Sequence, residues 1–410
     1  MTRRRVVIIG AGAAGSAAAT VLGSTSAELE VVIVGQEDRP PYNRTTVNKG
    51  LLSGAVQDCD ISLPGLDGTG AVWRLGEQAV DLDPVTKQVR LVSGELLSAD
   101  ALVLATGASP RGLGAPVAEP AAARLVSLRT AADTARLRET LSSGTPALVA
   151  GAGLIGTELA GVLRTAGHPV TLVDTAALPM KGLLGSTVAG WVADAHRTAG
   201  LDLRTTVAVT DIAADDERTP VTVTLSDGTH VEVGVVIACL GVRPATGWLA
   251  RTGLPSPAGA IAVDRWQRVV GWPGIYAAGD LAAVPDINGE PATVEHWGAA
   301  LSQGRVAACT VLADFDGGAA QPPAMPEPPS YSTYVHDTKL TILGWPHRAT
   351  TEIPLLGQPG DDRFAVALAD DRQRLVAAVG VGGARAVNRI QHLVANAAPV
   401  EALDHAGAGR

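Results

Sequence analysis

The chain has 410 residues, 46% hydrophobic and 18% charged, with 47 glycines; this excludes a disordered or fibrous protein and indicates a globular one of two or three domains. A formal net charge of -9 argues against nonspecific binding to nucleic acid or to an anionic membrane. Cys59, Cys239 and Cys309 are odd in number, far apart in sequence and without a CxxC pair, so reduced thiols in an intracellular, cytoplasmic setting are expected instead of a disulfide framework.

The N-terminus, MTRRR followed by VVIIGAGAAGSAAATVLG, imitates a secretory signal. Two features argue for a folded unit instead: the glycine spacing inside the apolar run, and a second apolar strand, VVIVG, at 31–35. No other segment reaches the roughly 18 uninterrupted apolar residues of a membrane span, so none is expected. Strand 6–10, a small-residue helix from Ala13 to about Leu22 and strand 31–35 form a β-α-β unit. Within it GAGAAG places Gly10, Gly12 and Gly15 in the GxGxxG arrangement: a tight turn, a close backbone approach to a pyrophosphate, and a close helix-strand contact. The acid that would bind a ribose at the end of the second strand is Glu37, or less well Asp38, because Gln36 occupies the first place to look.

From 70 to 107 short runs alternate apolar and polar residues, with turns at Asp83-Pro84 and Ser93-Gly94, and read as a small antiparallel sheet returning to a buried strand, ALVLATG. The opening device then recurs. PALVAGAG (146–153), a helix through IGTELAGVLRTAG and strand HPVTLVD (168–174) carry Gly151, Gly153 and Gly156, and Asp174 closes the strand about 20 residues on. A carboxylate there accepts a ribose 2′-hydroxyl and repels a 2′-phosphate, which favours NADH over NADPH; Lys181 is the one nearby residue that pulls the other way. A hairpin about Asp227-Gly228 and a buried strand end this module. GIYAAGD (274–280) is a short strand whose Gly279 and Asp280 suit the ribityl and pyrophosphate region of FAD, unless they form a plain turn. The stretch 314–330, rich in proline and glycine, reads as a linker, and beyond it three strand-like runs and a helix over 385–397 suggest a further α+β domain.

Together with ATGASPR (105–111) and CLGVRP (239–244), these segments resemble the flavoproteins that bind two dinucleotides, with an FAD module first and an NAD module inserted; the match covers most of the chain. The resemblance implies an α/β fold of two Rossmann-like domains plus a C-terminal α+β domain. The FAD-binding domain would span 1–115 and 246–325, the NAD-binding domain 116–245, and the last domain 326–410. PYNRTTVNK (41–49) is similar to the corresponding segment of ferredoxin-reductase-type members, keeping Pro41, Tyr42, Arg44 and Lys49. Thr45 and Thr46 stand where that pattern has two prolines, in a part of the chain where disulfide-reducing members carry a reactive cysteine.

The same resemblance implies that Arg44 and Lys49 border the flavin and that Glu158 approaches Lys49 near the nicotinamide, as the catalytic pair. It assigns Val80, Ala105, Thr106, Gly107 and Gly241 to cofactor binding. It also places Glu295 in the nicotinamide pocket and Trp297 at the flavin edge, from VEHWGAALSQG (294–304). His296 is read as a packing or hydrogen-bonding residue, since hydride transfer to flavin needs no proton-transferring side chain. The departure is at 329–337, where PSYSTYVHD replaces a tryptophan-rich family segment and Ser332 stands near the expected tryptophan, with Tyr331 and Tyr334 beside it.

The implied activity is reduction of FAD by NADH and passage of electrons to a ferredoxin or similar small iron-sulfur protein serving a P450 or an oxygenase. The alternatives are a reductase of a quinone, free flavin or oxygen, and a slow NADH-sensing flavoprotein. No metal ligands are evident, disulfide reduction ranks last, and the sequence leaves monomer and homodimer both open.

Overall fold

The computed structural model describes residues 3–25, 29–216, 220–318 and 328–405. The chain divides into two compact units, one of residues 1–43, 59–109 and 243–326 and the other of residues 44–58, 110–242 and 327–410.

The first unit is built on a sheet of five parallel strands in the order Ile275–Ala277, Ala101–Leu104, Arg4–Ile9, Leu29–Gly35, Val72–Leu75. Its central strands are continuous apolar runs because a parallel sheet is covered on both faces, and Val6, Val7 and Ile8 have no exposed surface. On one face lies the Ala13–Thr25 helix, packed along the Trp297–Phe315 helix. The two backbones approach so closely that a Cβ on Gly304 would sit 2.1 Å from the Ala14 carbonyl oxygen. Val72–Leu75, expected within the small antiparallel sheet, is instead the fifth strand of the large one, pairing Val32 with Val72 in parallel register. It is the edge strand of that sheet, with Val72 exposed and the next three residues half-buried. The antiparallel sheet itself comprises Ala79–Asp83, Gln88–Leu91 and Leu96–Ser98.

In the second unit the large sheet is again five parallel strands, ordered Asp202–Thr205, Val170–Asp174, Ala147–Ala150, Val235–Ala238, Leu125–Ser127. The layout repeats that of the first unit, except that the fifth place goes to a strand that precedes the other four in the chain. The expected hairpin is present, Val221–Leu225 pairing with His230–Val233.

The C-terminal residues form a five-stranded antiparallel sheet in the order Ser330–Val335, Thr338–Gly344, Leu375–Val381, Phe364–Ala369, Thr351–Leu356. Every residue of Phe364–Ala369 is buried, which the strand period explains. Phe364, Val366 and Leu368 face a core with Leu184, Val188 and Val192 of the Lys181–Thr198 helix, while Ala365 and Ala367 face one with Val387, Ile390 and Val394. The C-terminal sheet therefore shares a hydrophobic core with a helix of the second dinucleotide-type module. The closing helix is broken at Ile390 into Ala384–Arg389 and Gln391–Ala395, and the strand Thr351–Leu356 was not anticipated. Of the linker stretch 314–330, residues 314–315 end a helix, Ser330 opens a strand, and 319–327 lie outside the described residues.

Polar contacts complete this docking. The Glu352 carboxylate accepts from the backbone N–H of Ser186 and, at 3.0 Å, of Thr187, just after the left-handed Gly185 interrupts the Lys181–Thr198 helix. Burial opposes ionisation of Glu352, but these hydrogen bonds outweigh it and hold the carboxyl below its usual range. From the same helix the fully buried His196 places Nδ1 3.2 Å from Nε2 of His336, the left-handed turn residue between the first two C-terminal strands. Burial, then the neighbouring His336 ring, push His196 down to about 4. Burial also lowers His336, against an opposing pull from Asp337. A depressed imidazole favours the neutral form in the folded state, so the stability it contributes is complete above the unfolded value of about 6.5 and is lost as pH falls through about 4. Urea unfolding followed from pH 7 to pH 4 is expected to show a loss on the order of 3 kcal/mol over that window. In His196→Gln most of that slope should vanish, and an unchanged slope would show that other groups cause it.

Candidate active site

Both glycine loops sit at the carboxyl edge of their own sheet, beside the strand at which the chain order reverses, where doubly wound folds bind nucleotides. In the first unit Gly10 has φ +112°, and a Cβ there would lie 2.1 Å from the Ala105 carbonyl oxygen; a Cβ on Gly15 would lie 1.8 Å from the Gly10 carbonyl oxygen. In the second, Gly151 has φ +102° and its Cβ would lie 2.3 Å from the Cys239 carbonyl oxygen, while that of Gly156 would lie 1.9 Å from the Gly151 carbonyl oxygen. The middle glycines behave oppositely. Nothing lies within 4 Å of a Cβ on Gly12 or on Gly153. Each loop thus presents an open cradle of backbone at the start of a helix of twelve or thirteen residues, Leu154–Thr165 and Ala13–Thr25. There the free amides and the positive helix end suit a pyrophosphate.

The candidate ribose acids are held differently. In Asp174 one carboxylate oxygen accepts from the Ala152 N–H inside the second loop at 2.6 Å, and the other accepts from the Ala176 N–H at 2.7 Å. Each oxygen keeps a lone pair for a ribose hydroxyl. Glu37 accepts from the Tyr42 hydroxyl at 2.8 Å, and the buried Tyr42 ring lies under the Arg39 guanidinium at 4.6 Å. Tyr42 therefore has a task the sequence did not disclose.

At the same edge of the first sheet, Gly279, with φ +78°, donates its N–H to Gln303 Oε1 at 2.6 Å, and the half-buried Asp280 follows it. Thr106 Oγ1 donates to the Ala245 carbonyl at 3.2 Å, and the Ala245 N–H donates to Gly107. His296 caps the Trp297–Phe315 helix, its Nδ1 accepting from the Gly298 N–H at 3.1 Å. Glu295 is exposed, Trp297 packs against the core of the first unit, and Val80 stands 39% exposed on its strand. In the second unit Gly241, with φ +77°, accepts from the Arg111 N–H.

Lys49 and Glu158, brought together across 109 positions of sequence, form an ion pair of 2.9 Å, with the lysine side chain 37% exposed and the glutamate 10%. Glu158 projects from the Leu154–Thr165 helix that the second glycine loop opens. It also accepts from Asn48 Nδ2 at 3.0 Å, Thr333 Oγ1 at 2.6 Å and the Tyr334 N–H at 3.1 Å. A carboxylate so far removed from water costs several kcal/mol unless its lone pairs are taken up, and here four donors take them up. The segment bearing Lys49 is itself pinned. Arg44 Nη1 donates to the Arg129 carbonyl at 3.2 Å, Thr134 Oγ1 donates to the Val47 carbonyl at 2.9 Å, and Leu52 enters a core with Leu137, Leu159 and Leu163. Asn48 stood next to a recognised residue, but the contribution of Thr333 depends on how a distant hairpin docks and has no local signal.

Residues 4–304 match the family described as pyridine nucleotide-disulphide oxidoreductase. The chain belongs to that family. Its relatives include the ferredoxin–NAD(+) reductase component of the p-cumate 2,3-dioxygenase system of Pseudomonas putida, 33% identical over 72% of this chain and 71% of that one. Among solved structures, the ferredoxin reductase of the CYP199A2 system from Rhodopseudomonas palustris is 26% identical with a TM-score of 0.85, covering 94% of this chain and 93% of that one. Putidaredoxin reductase in its covalent complex with putidaredoxin is 25% identical with a TM-score of 0.87, covering 100% of each chain. The protein is accordingly an oxidoreductase that uses FAD and NADH. The two open cradles fit that pair of dinucleotides.

The oxidoreductase has no described helix long and apolar enough to cross a membrane, and no cluster of metal-ligating side chains occurs among the described residues. Cys59, Cys239 and Cys309 are all free thiols. Cys239 takes the place in the second unit that Ala105 takes in the first, and burial pushes its thiol up to about 12. If the cradles carry the dinucleotides, Gly12→Val will fold but purify with markedly less FAD, read from the flavin-to-protein absorbance ratio, whereas Gly153→Val will keep its flavin and raise the KM for NADH at least about tenfold. Equal flavin content in Gly12→Val and wild type would remove the first loop from the cofactor site.

Proposed function

We propose that the protein is a cytoplasmic NADH-dependent reductase that passes electrons through FAD to a small ferredoxin-type iron-sulfur protein serving an oxygenase or a cytochrome P450. The observation that carries this reading is the Lys49–Glu158 pair, a fixed charge in the segment where a disulfide reductase would need a thiol. In this reading the Gly10 loop, Glu37, Thr106, Gly279 and Asp280 hold FAD, and the Gly151 loop and Asp174 hold NADH. Flavin supplies the junction chemistry, since it accepts two electrons together and can release them singly.

The tasks left to the chain are binding and electrostatics. The Asp174 carboxylate accepts a ribose hydroxyl and repels a phosphate at the same place. The Lys49 ammonium supplies positive charge where reduction builds negative charge, and Glu158 keeps that ammonium in one place. No side chain has to deliver a proton to move a hydride. Thiol exchange finds no support, because it requires an accessible thiolate with a thiol partner: Cys59 is exposed but is paired with no other cysteine, and the Cys239 thiol, which burial pushes up, stays protonated at neutral pH.

One rival is favoured by specific residues. Thr45, Thr46 and Ser332 depart from the ferredoxin-reductase pattern, which suits a small acceptor such as a quinone. Steady-state NADH oxidation with purified ferredoxins and with quinones separates the two: strong stimulation by at least one ferredoxin is expected, and stimulation by quinones alone would overturn the proposal. Lys49→Met and Glu158→Gln should each lower the anaerobic rate of flavin reduction by NADH by about tenfold or more with FAD retained. Alkylation of all accessible thiols should leave NADH oxidation largely intact; its abolition without loss of FAD would restore the disulfide reading.

A further inference from the structure

We propose that Thr333 is a positioning residue for the Lys49–Glu158 pair, so that a side chain of the C-terminal hairpin sets how firmly the lysine is held. Glu158 Oε1 receives three donors, Lys49 Nζ at 2.9 Å, Thr333 Oγ1 at 2.6 Å and the Tyr334 N–H at 3.1 Å, whereas Asn48 Nδ2 lies on Oε2 at 3.0 Å. An ionised carboxylate only accepts, so the threonine hydroxyl donates. Lys49 is long and partly exposed and cannot by itself fix the carboxylate it pairs with. Thr333 is short, β-branched and 4% exposed, so its hydroxyl has few positions open to it and no ready water to replace it.

The hairpin that carries Thr333 is registered on the helix of Glu158 at a second point. Strands Ser330–Val335 and Thr338–Gly344 pair in register from Ser330–Leu343 to Val335–Thr338. At their turn, His336 packs over Gly161, where a Cβ would lie 3.3 Å from His336 Nδ1. Gly161 is three residues beyond Glu158 and so on the same helix face. On its other side the His336 ring meets His196 at 3.2 Å. Contacts at Glu158 and at Gly161 leave the hairpin no freedom to slide along the helix, and the threonine hydroxyl arrives at Oε1 as a fixed group. Loss of that hydroxyl frees the Glu158 side chain and leaves Lys49 unpaired for more of the time.

The scarcity of lysine makes this measurable independently of turnover. The holoenzyme is treated with limiting acetic anhydride and acylation of Lys49 is read by peptide mass spectrometry, with Lys87, Lys181 and Lys339 as internal references. Glu158→Gln sets the ceiling. In Thr333→Val, Lys49 is expected to acylate several-fold faster than in wild type and to approach that ceiling, with the other lysines unchanged and Thr333→Ser at the wild-type rate. Thr333→Val at the wild-type rate beside a fast Glu158→Gln would overturn the proposal, as would a Glu158→Gln variant no faster than wild type. Should the valine variant fail to fold, Thr333→Ala against Thr333→Ser makes the same comparison.

A catalytic arm rests on the proposed role of the pair. Flavin reduction by NADH should slow in Thr333→Val at unchanged affinity for NADH. If Lys49→Met reduces its flavin as fast as wild type, that role is wrong while the labelling result stands.

Discussion

The constraint on which each unit depends is the contact between the first glycine of its loop and the carbonyl oxygen that ends the neighbouring strand, Gly10 against Ala105 and Gly151 against Cys239. No side chain fits there. Because the loop backbone lies directly on the strand end, the helix that follows starts at the sheet edge with its free amides outward, and the middle glycine is left bare toward solvent. The next residues inherit their positions from this. Asp174 reaches back to the Ala152 N–H because its strand is paired with the one that runs into the loop, and Gly279 and Asp280 reach the same edge because their strand pairs with Ala101–Leu104. Two sheets alike in four of their five strand places, each built around that contact, give the chain two such open loops.

Glu158 poses the opposite problem, an ionised group largely removed from water. Its stability is a matter of how many donors converge, and they come from two separate parts of the chain, residues 48–49 and residues 333–334, onto the Leu154–Thr165 helix that bears it. The convergence requires the C-terminal sheet to be seated, which the apolar contacts of Leu184, Val188 and Val192 with Phe364, Val366 and Leu368 provide. A charge is thus fixed in place by a hydrophobic core that never touches it.

Much of this was legible in the sequence because it is local. Glycine spacing, the buried runs of the parallel strands and the acid at 174 depend on residues within one β-α-β unit, and both loops lie where the pattern put them. The pairing of Lys49 with Glu158 was legible only through a resemblance, since nothing in the spacing of two residues so far apart dictates contact. What escaped was set by tertiary docking. Val72–Leu75 joined the large sheet because a partner strand was available. Tyr42 found Glu37 through the fold of a loop, and Thr333 found Glu158 through the register of a hairpin on a helix.

The segment at 44–53 shows how the absence of a thiol changes what a stretch of chain can do. A reactive cysteine must be accessible and partnered, and the backbone around it must leave room for exchange. Here the segment is committed elsewhere: the Val47 carbonyl to Thr134, the Asn48 side chain to Glu158, the Leu52 side chain to an apolar core, and the Arg44 guanidinium to the Arg129 carbonyl. These ties immobilise the residues on both sides of Lys49 while its ammonium stays partly exposed. The stretch that would carry a reactive thiol in a disulfide reductase here carries a lysine whose ammonium is held in an ion pair and whose neighbours are tied on both sides.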